Sequence, residues 1–194
     1  MDDIVKQAIA KWPNVPNCFG WLGLDARGNW YMRDDEAQAA GSFAGLAGLA
    51  DFVETGVAPG ALSKGSLLRH DKLVDFIQRN YESDDAGQWF FQNGPQRVYV
   101  ELEATPLIWR VDAAPDFAVT AHTGQTARVQ RCLVDEHGRV YLETDAGFGL
   151  VHTLDMTHVA DAVEQGLWVP SEVLAHDLPA RFGYVRSPQT LQKQ

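Results

Sequence analysis

The sequence predicts an α+β protein made of two small sheet-and-helix units. Segments with the alternating apolar pattern of strands are separated by short turns containing Asp and Gly, and segments with helical spacing lie among them without the order of a doubly wound sheet. Asp112-Ala113-Ala114-Pro115 interrupts the strand pattern. We therefore expect an N-terminal α+β domain at residues 1–112 and a C-terminal β-rich domain with one helix at residues 113–194.

The first expected element is a short amphipathic helix. Residues 3 to 12 place apolar side chains at helical spacing, and Asp2 or Asp3 can cap the first turn. Pro13 ends this helix, because proline interrupts the helical hydrogen bonds. An extended stretch is expected to begin near Cys18.

An internal similarity connects two parts of the chain that align without gaps, residues 24–57 and residues 134–167. The matching segments are the turns at residues 25–28 and 135–138 and the helical patterns at residues 46–53 and 156–163. In each turn Asp can bond the backbone that follows it and Gly accepts a positive φ, as in a hairpin. The similarity predicts duplication of a hairpin-helix unit, and the alternative is that both parts share common turn and helix chemistry.

Between these two parts the sequence predicts a helix followed by strands. The helix begins at Asp71 and carries apolar residues at Leu73, Val74, Ile77 and Tyr81. Strands are expected at residues 87–92, 97–103, 107–111, 117–122, 127–134, 139–144 and 148–153. The second-copy helix and an end rich in loops follow.

The block from Gly87 to Val100, GQWFFQNGPQRVYV, resembles uncharacterised bacterial families classed as domains of unknown function. Thr105-Pro106 and the Val-Asp-Ala-Ala-Pro segment at residues 111–115 share in this resemblance, which extends into the hairpin at residues 135–141 and Gly147-Phe148-Gly149. It implies an α-β roll followed by a β-rich roll. It transfers no activity and no catalytic residue.

The charge balance disfavours several classes of partner. The chain has 16 Lys and Arg against 26 Asp and Glu, which gives a net charge of −10. The electric field of this negative charge repels nucleic acids and anionic lipid surfaces. The N-terminus is acidic and lacks a signal-peptide pattern. No stretch of the sequence approaches the roughly 18 apolar residues of a membrane span. We expect a cytoplasmic protein that binds neither nucleic acid nor membrane.

Motifs for cofactors and metals are missing from the sequence. There is no P-loop, and Gly147-Phe148-Gly149 lacks the third glycine of a dinucleotide loop because His152 stands there. The Ser63 segment, Ala61-Leu62-Ser63-Lys64-Gly65, resembles a nucleophile elbow but does not follow a hydrophobic strand. Cys18 and Cys132 belong to no Cys/His cluster. We expect no cofactor and no metal site.

The six histidines leave an enzymatic alternative open. None forms an HExxH pair, but His70-Asp71 and His176-Asp177 recur, which fits a paired site or helix capping. We expect Asp71 to cap the helix that it starts. A small hydrolase or transferase using His and carboxylate acid-base chemistry is the alternative function, since the residue types are present without a diagnostic spacing.

The leading interpretation is a non-catalytic module that binds a small molecule or a protein. Arg97, Tyr99, Glu101 and Glu103 form the polar side of an alternating strand, where Arg and Tyr can orient a carboxylate or a peptide. A solvated sheet face is the alternative. Trp168, in an irregular segment, is the tryptophan that we expect to meet another surface.

Overall fold

The computed structural model describes residues 1–43 and 63–192, and the chain divides into two compact units. Unit 1 comprises Met1–Asp25, Asn29–Ala104 and Tyr184–Gln194, and unit 2 comprises Ala26–Gly28 and Thr105–Gly183. This confirms the α+β class in two units. The division falls between Ala104 and Thr105 rather than at residues 112–116, because the strand Leu107–Val111 pairs within the sheet of unit 2.

The described part of unit 1 is built on a mixed sheet of six strands. They are β1 (Cys18–Leu24), β2 (Trp30–Met32), β3 (Ser66–Leu67), β4 (Tyr81–Ser83), β5 (Trp89–Asn93) and β6 (Gln96–Leu102). Their order is β3-β2-β1-β6-β5-β4, with β1 and β6 parallel and the other neighbours antiparallel. The helices of this unit are α1 (Asp3–Lys11), α2 (Asp35–Ala39), α3 (Asp71–Arg79) and, after unit 2 in the chain, α6 (Pro188–Gln192).

Different helices cover the two faces of this sheet. Val98 of β6 pairs with Phe91 of β5, and the Phe91 ring meets that of Phe76 in α3 edge-on at 5.5 Å. We call the side of the sheet that carries Val98 and Phe91 the α3 face. Glu101 belongs to the opposite face, because successive side chains of a strand alternate. There α6 packs against β6 and β1. Helix α3 therefore packs against β5 on one face, and α6 packs against β6 and β1 on the other.

The described part of unit 2 is a mixed sheet of seven strands with short helices. The strands are β7 (Leu107–Val111), β8 (Val119–Ala121), β9 (Thr126–Ala127), β10 (Val129–Asp135), β11 (Val140–Thr144), β12 (Gly147–Val151) and β13 (Pro170–Val173). Their order is β13-β10-β11-β12-β7-β8-β9, with β10–β13 and β12–β7 parallel. The helices are α4 (Met156–Glu164) and α5 (Leu178–Phe182), and single 3₁₀ turns lie at Thr153–Asp155 and Ala175–Asp177. The segment expected to be rich in loops thus contains β13 and α5.

The core of unit 2 is centred on Trp109 of β7, which is fully buried. Its indole Nε1 donates a hydrogen bond to the carbonyl of Leu142 at 3.1 Å. Gly149 of β12 pairs with Leu107 and leaves room for the ring, since a Cβ at this position would lie 2.6 Å from Nε1. A Cβ here would collide with the Leu107 carbonyl and with the Trp109 indole, so β12 requires glycine at this position.

Three hairpin turns share one Asp-x-x-Gly geometry. The Asp carboxylate accepts the N–H of the residue four positions later at 2.8, 2.9 and 2.9 Å in the turns of Asp25, Asp84 and Asp135. The glycines are Gly28, Gly87 and Gly138, with φ of 81°, 74° and 74°. Each turn combines an Asp acceptor with a glycine in the left-handed region, as the sequence predicts for the turns at residues 25–28 and 135–138.

Among the described residues, the two hairpins are the part of the expected duplication that matches. Both β1–β2 and β10–β11 are antiparallel pairs joined by an Asp-x-x-Gly turn. The chain then takes different courses, because Asp35 begins α2 whereas its aligned counterpart Asp145 lies in the turn between β11 and β12. The second-copy helical pattern forms α4, and that of the first copy, residues 46–53, lies outside the described residues.

Asp155 is a buried carboxylate that joins β7 to the start of α4. Its Oδ2 accepts hydrogen bonds from Arg110 Nε at 2.6 Å and from the Val111 backbone N–H at 3.0 Å, and Oδ1 accepts from Arg110 Nη2 at 3.0 Å. Burial raises the pKa of Asp155, but these hydrogen bonds outweigh that effect and hold it below its ordinary value. The ionised form is therefore the one that stabilises unit 2.

Replacing Asp155 by asparagine is expected to lower the free energy of unfolding by about 1 kcal/mol at neutral pH. The loss is modest because Arg110 is half exposed, so that solvent partly screens its ion pair with Asp155. Since the pKa of Asp155 is lower in the folded chain, its stabilisation is complete above the unfolded value of about 3.9 and is lost as the pH falls through the folded value. Urea unfolding between about pH 7 and pH 3 measures this. The difference between wild type and Asp155→Asn should shrink on acidification, and a constant difference contradicts the assignment.

Candidate functional site

The four polar residues that alternate along β6 and just beyond it do not form an open binding face. Arg97 is exposed, whereas Tyr99, Glu101 and Glu103 are buried. The reason is the central position of β6, with α3 on one face and α6 on the other. Tyr99, Glu101 and Glu103 make contacts within unit 1, and ligand contact at these residues stays a prediction.

Arg97 and Tyr99 take part in an aromatic cluster. The Arg97 guanidinium lies over the Phe90 ring at 4.5 Å, and the Tyr99 ring stacks on Phe19 at 4.5 Å. The Tyr99 hydroxyl donates to the Asp84 carboxylate at 3.1 Å, and burial raises the pKa of this tyrosine. The pair therefore stabilises the β5–β6 end of the sheet.

Glu101 is completely buried and holds α6 against the sheet. Its carboxylate accepts hydrogen bonds from the backbone N–H of Gln189 at 3.0 Å and from the hydroxyl of Ser187. An acceptor at this place satisfies N–H groups that the start of a helix leaves unbonded. Glu101 is thus a capping residue supplied from a distant part of the chain.

Arg33, which follows β2, is also completely buried. Arg33 Nη2 donates to the carbonyls of Ala37 at 2.9 Å and Gly41 at 2.6 Å. Burial lowers the pKa of Arg33, and the Glu101 carboxylate acts in the opposite direction. Among the described residues, nothing accepts a hydrogen bond from its Nε or Nη1. The field of the Glu101 carboxylate therefore offsets part of the cost of burying this guanidinium.

Glu103 belongs to a second polar group on unit 1. Lys64 Nζ lies 2.8 Å from the Glu103 carboxylate and 3.8 Å from that of Asp25. The backbone carbonyl of Glu103 accepts a hydrogen bond from the Arg186 side chain. These contacts join β6 to the segment after β1 and to the chain that returns from unit 2.

Trp168 lies in the core of unit 2 and not on a surface. Its side chain is 8% exposed and its ring centre is 6.4 Å from that of Phe117. The more exposed tryptophans are Trp12, at 52%, and Trp21, at 43%. Trp12 and Trp21, and not Trp168, therefore present aromatic surface to a partner.

Several histidines are used as backbone acceptors. His70 caps α3 by accepting the Leu73 N–H at Nδ1 over 3.2 Å, so the cap is His70 and not Asp71, the first residue of the helix. His152 caps the 3₁₀ turn in the same way at 3.1 Å. His176 lies 3.2 Å from Asp177, but both side chains are exposed. Within residues 1–43 and 63–192, no group of three or more His, Cys, Asp and Glu is arranged to hold a metal ion.

The segment that resembles a nucleophile elbow is described only at residues 63–65. Ser63 is exposed, and its hydroxyl accepts the N–H of Gly65 at 3.1 Å. No helix begins at these residues. Ser63 therefore serves in a local turn of unit 1.

A depression of about 620 Å³ on unit 2 is lined by charged residues. Two of its carboxylates are engaged in the fold. Asp135 accepts from Arg139 Nε at 2.8 Å and from the Tyr141 hydroxyl at 2.9 Å, and Glu136 accepts the Ala175 N–H at 2.8 Å. These bonds fix the β10–β11 turn and the segment before α5.

An apolar groove of about 260 Å³ opens on the α3 face of unit 1. Strands β1, β5 and β6 and helix α3 provide its floor and wall, and two large side chains and a leucine provide its rim. The floor residues are Cys18, Leu22, Phe91 and Val98, the wall residues are Leu73 and Ile77, and the rim residues are Trp21, Met32 and Leu68. Asn93 adds one polar side chain.

A distortion of β1 brings Trp21 to the rim of the apolar groove. The register between β1 and β6 shifts between Cys18 and Leu22, and Gly20 within this interval has φ of 82°. Such a bulge redirects the side chains that follow it. Trp21 and Met32 are consequently 43% and 48% exposed. The glycine before Trp21 is the only signal in the sequence for this bulge, since glycine within a strand indicates one.

Among the described residues that line the apolar groove, the one ionisable group is the thiol of Cys18. Burial raises the pKa of this thiol, so it is neutral at physiological pH. A neutral thiol behaves as a small apolar side chain. The groove can make apolar contacts and offers no acid or base.

The chain is similar to proteins of two named families. Residues 1–189 match the DUF2944 family, described as "Protein of unknown function (DUF2946)". No curated protein gives a significant match. Solved structures include a DUF1285 family protein from Silicibacter pomeroyi DSS-3, at 13% identity over 83% of this chain and 84% of that chain with a TM-score of 0.47. A DUF1285 family protein from Shewanella baltica OS155 has 14% identity over 73% of this chain and 91% of that chain, with a TM-score of 0.43. In the described ranges, no helix has the length and apolar character needed to cross a membrane.

Proposed function

The chain belongs to the DUF2944 family, and from its own geometry we propose that it is a non-catalytic binding module whose ligand site is the apolar groove of unit 1. The observation that carries this proposal is the pair of large apolar side chains, Trp21 and Met32, left half exposed beside a preformed cavity. Single exposed apolar residues are common on proteins, but an exposed apolar patch that adjoins a cavity is typical of a binding site.

The energetics favour a ligand that covers this rim. Removing apolar surface from water contributes about 25 cal/mol per Å², and tryptophan is among the largest contributors of such surface. The floor of the groove, formed by Leu22 and Phe91, is already buried, so little rearrangement is needed to accept an apolar group. Binding without chemistry is supported by the described residues of the lining, in which Cys18 is neutral and no histidine or carboxylate occurs.

The compartment and partners follow the same proposal. Both cysteines are free, which supports the reducing cytoplasm of a bacterium. The net charge of −10 supports a small molecule over nucleic acid or an anionic membrane.

Replacing Trp21 by alanine is expected to weaken binding of an uncharged fluorescent probe, N-phenyl-1-naphthylamine, by about tenfold, which corresponds to about 1.4 kcal/mol. Trp12→Ala is the matched control, since Trp12 is similarly exposed but lies on the end of α1 and does not line the groove. Fluorescence titration measures both affinities, and urea unfolding verifies that both variants are folded. Equal affinity of Trp21→Ala and wild type would show that the groove is not the site.

A further inference from the structure

We infer that the ligand of the apolar groove is an uncharged small molecule with a two-ring aromatic group and one hydrogen-bonding group. This inference rests on the proposed function and adds the chemistry of the ligand. It comes from three properties of the described lining: no side chain in it is charged, its rim is suited to a flat ring, and it has one polar side chain, that of Asn93.

The lining selects against ions. Nine of its ten described residues are apolar when the neutral thiol of Cys18 is counted with them, and the tenth is Asn93. A charged group that enters such a groove loses water and meets no opposite charge there, and this costs far more free energy than the burial of an apolar group. The part of the ligand inside the groove is therefore uncharged.

The charges that lie next to the groove along the chain balance each other. Leu68 and Leu73 line the groove, and residues 69–75 carry two exposed cations and two exposed carboxylates, which are Arg69, Lys72, Asp71 and Asp75. None of these four lines the groove. The segment therefore favours neither an anion nor a cation.

The rim of the groove favours an aromatic ring. The half-exposed Trp21 offers a ring on which an aromatic ligand can stack, and the thioether of Met32 makes favourable contacts with ring edges. An apolar cavity of about 150 Å³ binds a single benzene ring. The groove, at about 260 Å³, is therefore large enough for two fused rings.

Asn93 provides the one polar contact of the described lining. It is the last residue of β5 and lies on the same face as Phe91, because side chains two positions apart in a strand share a face. The amide of the neighbouring Gln92 donates to the Gly94 carbonyl at 2.9 Å, whereas the Asn93 amide has no hydrogen-bond partner among the described residues. A carboxamide both donates and accepts, so Asn93 can orient a ligand that carries one N–H or hydroxyl group.

The first test is displacement of N-phenyl-1-naphthylamine by indole-3-ethanol, indole-3-acetate and tryptamine, which share a ring system and a two-carbon side chain and differ in charge. The neutral alcohol is expected to displace the probe at a concentration about tenfold lower than either ion. Equal displacement by the alcohol and by either ion overturns the inference, while Trp21-dependent probe binding leaves the proposed function intact. Absence of Trp21-dependent probe binding removes both proposals.

Trp21→Leu tests the aromatic part of the ligand, since it keeps the rim apolar and removes its ring. The variant is expected to weaken indole-3-ethanol about threefold more than octan-1-ol, which has the same head group and no ring to stack. Competition against the same probe measures both alcohols in wild type and variant. Equal weakening of the two alcohols shows that the groove does not recognise a ring and overturns the inference.

Asn93→Ala tests the polar contact. It should weaken binding of indole about fivefold, the contribution of one neutral hydrogen bond, and leave binding of 1-methylindole, which lacks the N–H, unchanged. Asn14→Ala is the matched control, because Asn14 is exposed in the same unit and does not line the groove, and it should keep the preference for indole. Urea unfolding verifies that both variants are folded. If Asn93→Ala weakens indole and 1-methylindole equally, or neither of them, the inferred hydrogen bond does not form and the inference is wrong.

Discussion

Replacing Glu101 by alanine is expected to lower the free energy of unfolding by about 3 kcal/mol, because two hydrogen bonds to a buried carboxylate are lost, each contributing about 1.5 kcal/mol. The substitution leaves the guanidinium of Arg33 completely buried with Nε and Nη1 lacking acceptors among the described residues. It also removes the acceptor for the Gln189 N–H and the Ser187 hydroxyl, so α6 loses its attachment to β6.

Urea unfolding followed by circular dichroism measures this loss. Glu36→Ala is the control in the same unit, because Glu36 is exposed in the first turn of α2 and its removal should cost less than about 0.5 kcal/mol. The double variant Arg33→Leu/Glu101→Leu should recover part of the stability, since it removes both buried charges together. If Glu101→Ala is no less stable than Glu36→Ala, the role given to the buried pair is wrong.

Replacing Gly149 by alanine is expected to cost about 3 kcal/mol, at the upper end of the range for overpacked cores. An added Cβ would lie 2.4 Å from the carbonyl oxygen of Leu107 and 2.6 Å from the Nε1 atom of Trp109. The first contact is with backbone in a parallel pair and the second with a buried indole, so neither group can move without disturbing β7.

Gly138→Ala measures the cost of placing alanine at a positive φ where no steric clash occurs, and so separates that cost from the clash at Gly149. A Cβ on Gly138 meets nothing within 4 Å, but its φ of 74° is costly for alanine, and we expect a loss of about 1 kcal/mol. Chemical unfolding gives both values, and near-ultraviolet circular dichroism reports displacement of the Trp109 ring in the Gly149 variant alone. Similar losses for the two variants would contradict the packing argument.

The sequence is informative wherever a local rule decides the structure. The Asp-x-x-Gly turns at Asp25 and Asp135 form as predicted, because a side-chain acceptor and a positive φ are both properties of a few neighbouring residues. Helices α1, α3 and α4 follow from the spacing of their apolar residues, and most strands of unit 2 lie within a few residues of the predicted positions.

The remaining features depend on distant parts of the chain. Alternation identifies the polar side of β6, but it does not reveal that α6 covers this side and turns Glu101 into a buried cap. The apolar groove depends on a shift of register at Trp21, and Gly20 alone indicates it beforehand. Trp168 is buried because the segment after α4 folds back so that its ring meets Phe117, a contact between residues far apart in the sequence.

The contact between Glu101 and the α6 segment can form only after unit 2 has been synthesised. A stretch of 86 residues separates Glu101 from Ser187, so a ribosome working at about 5–20 residues per second delivers the covering helix on the order of ten seconds after β6. During this interval Glu101 in the nascent N-terminal sheet lacks the Ser187 and Gln189 donors that the α6 segment brings. The unit translated first is therefore the one completed last, and a chain that stalls within unit 2 leaves this sheet accessible to chaperones and proteases.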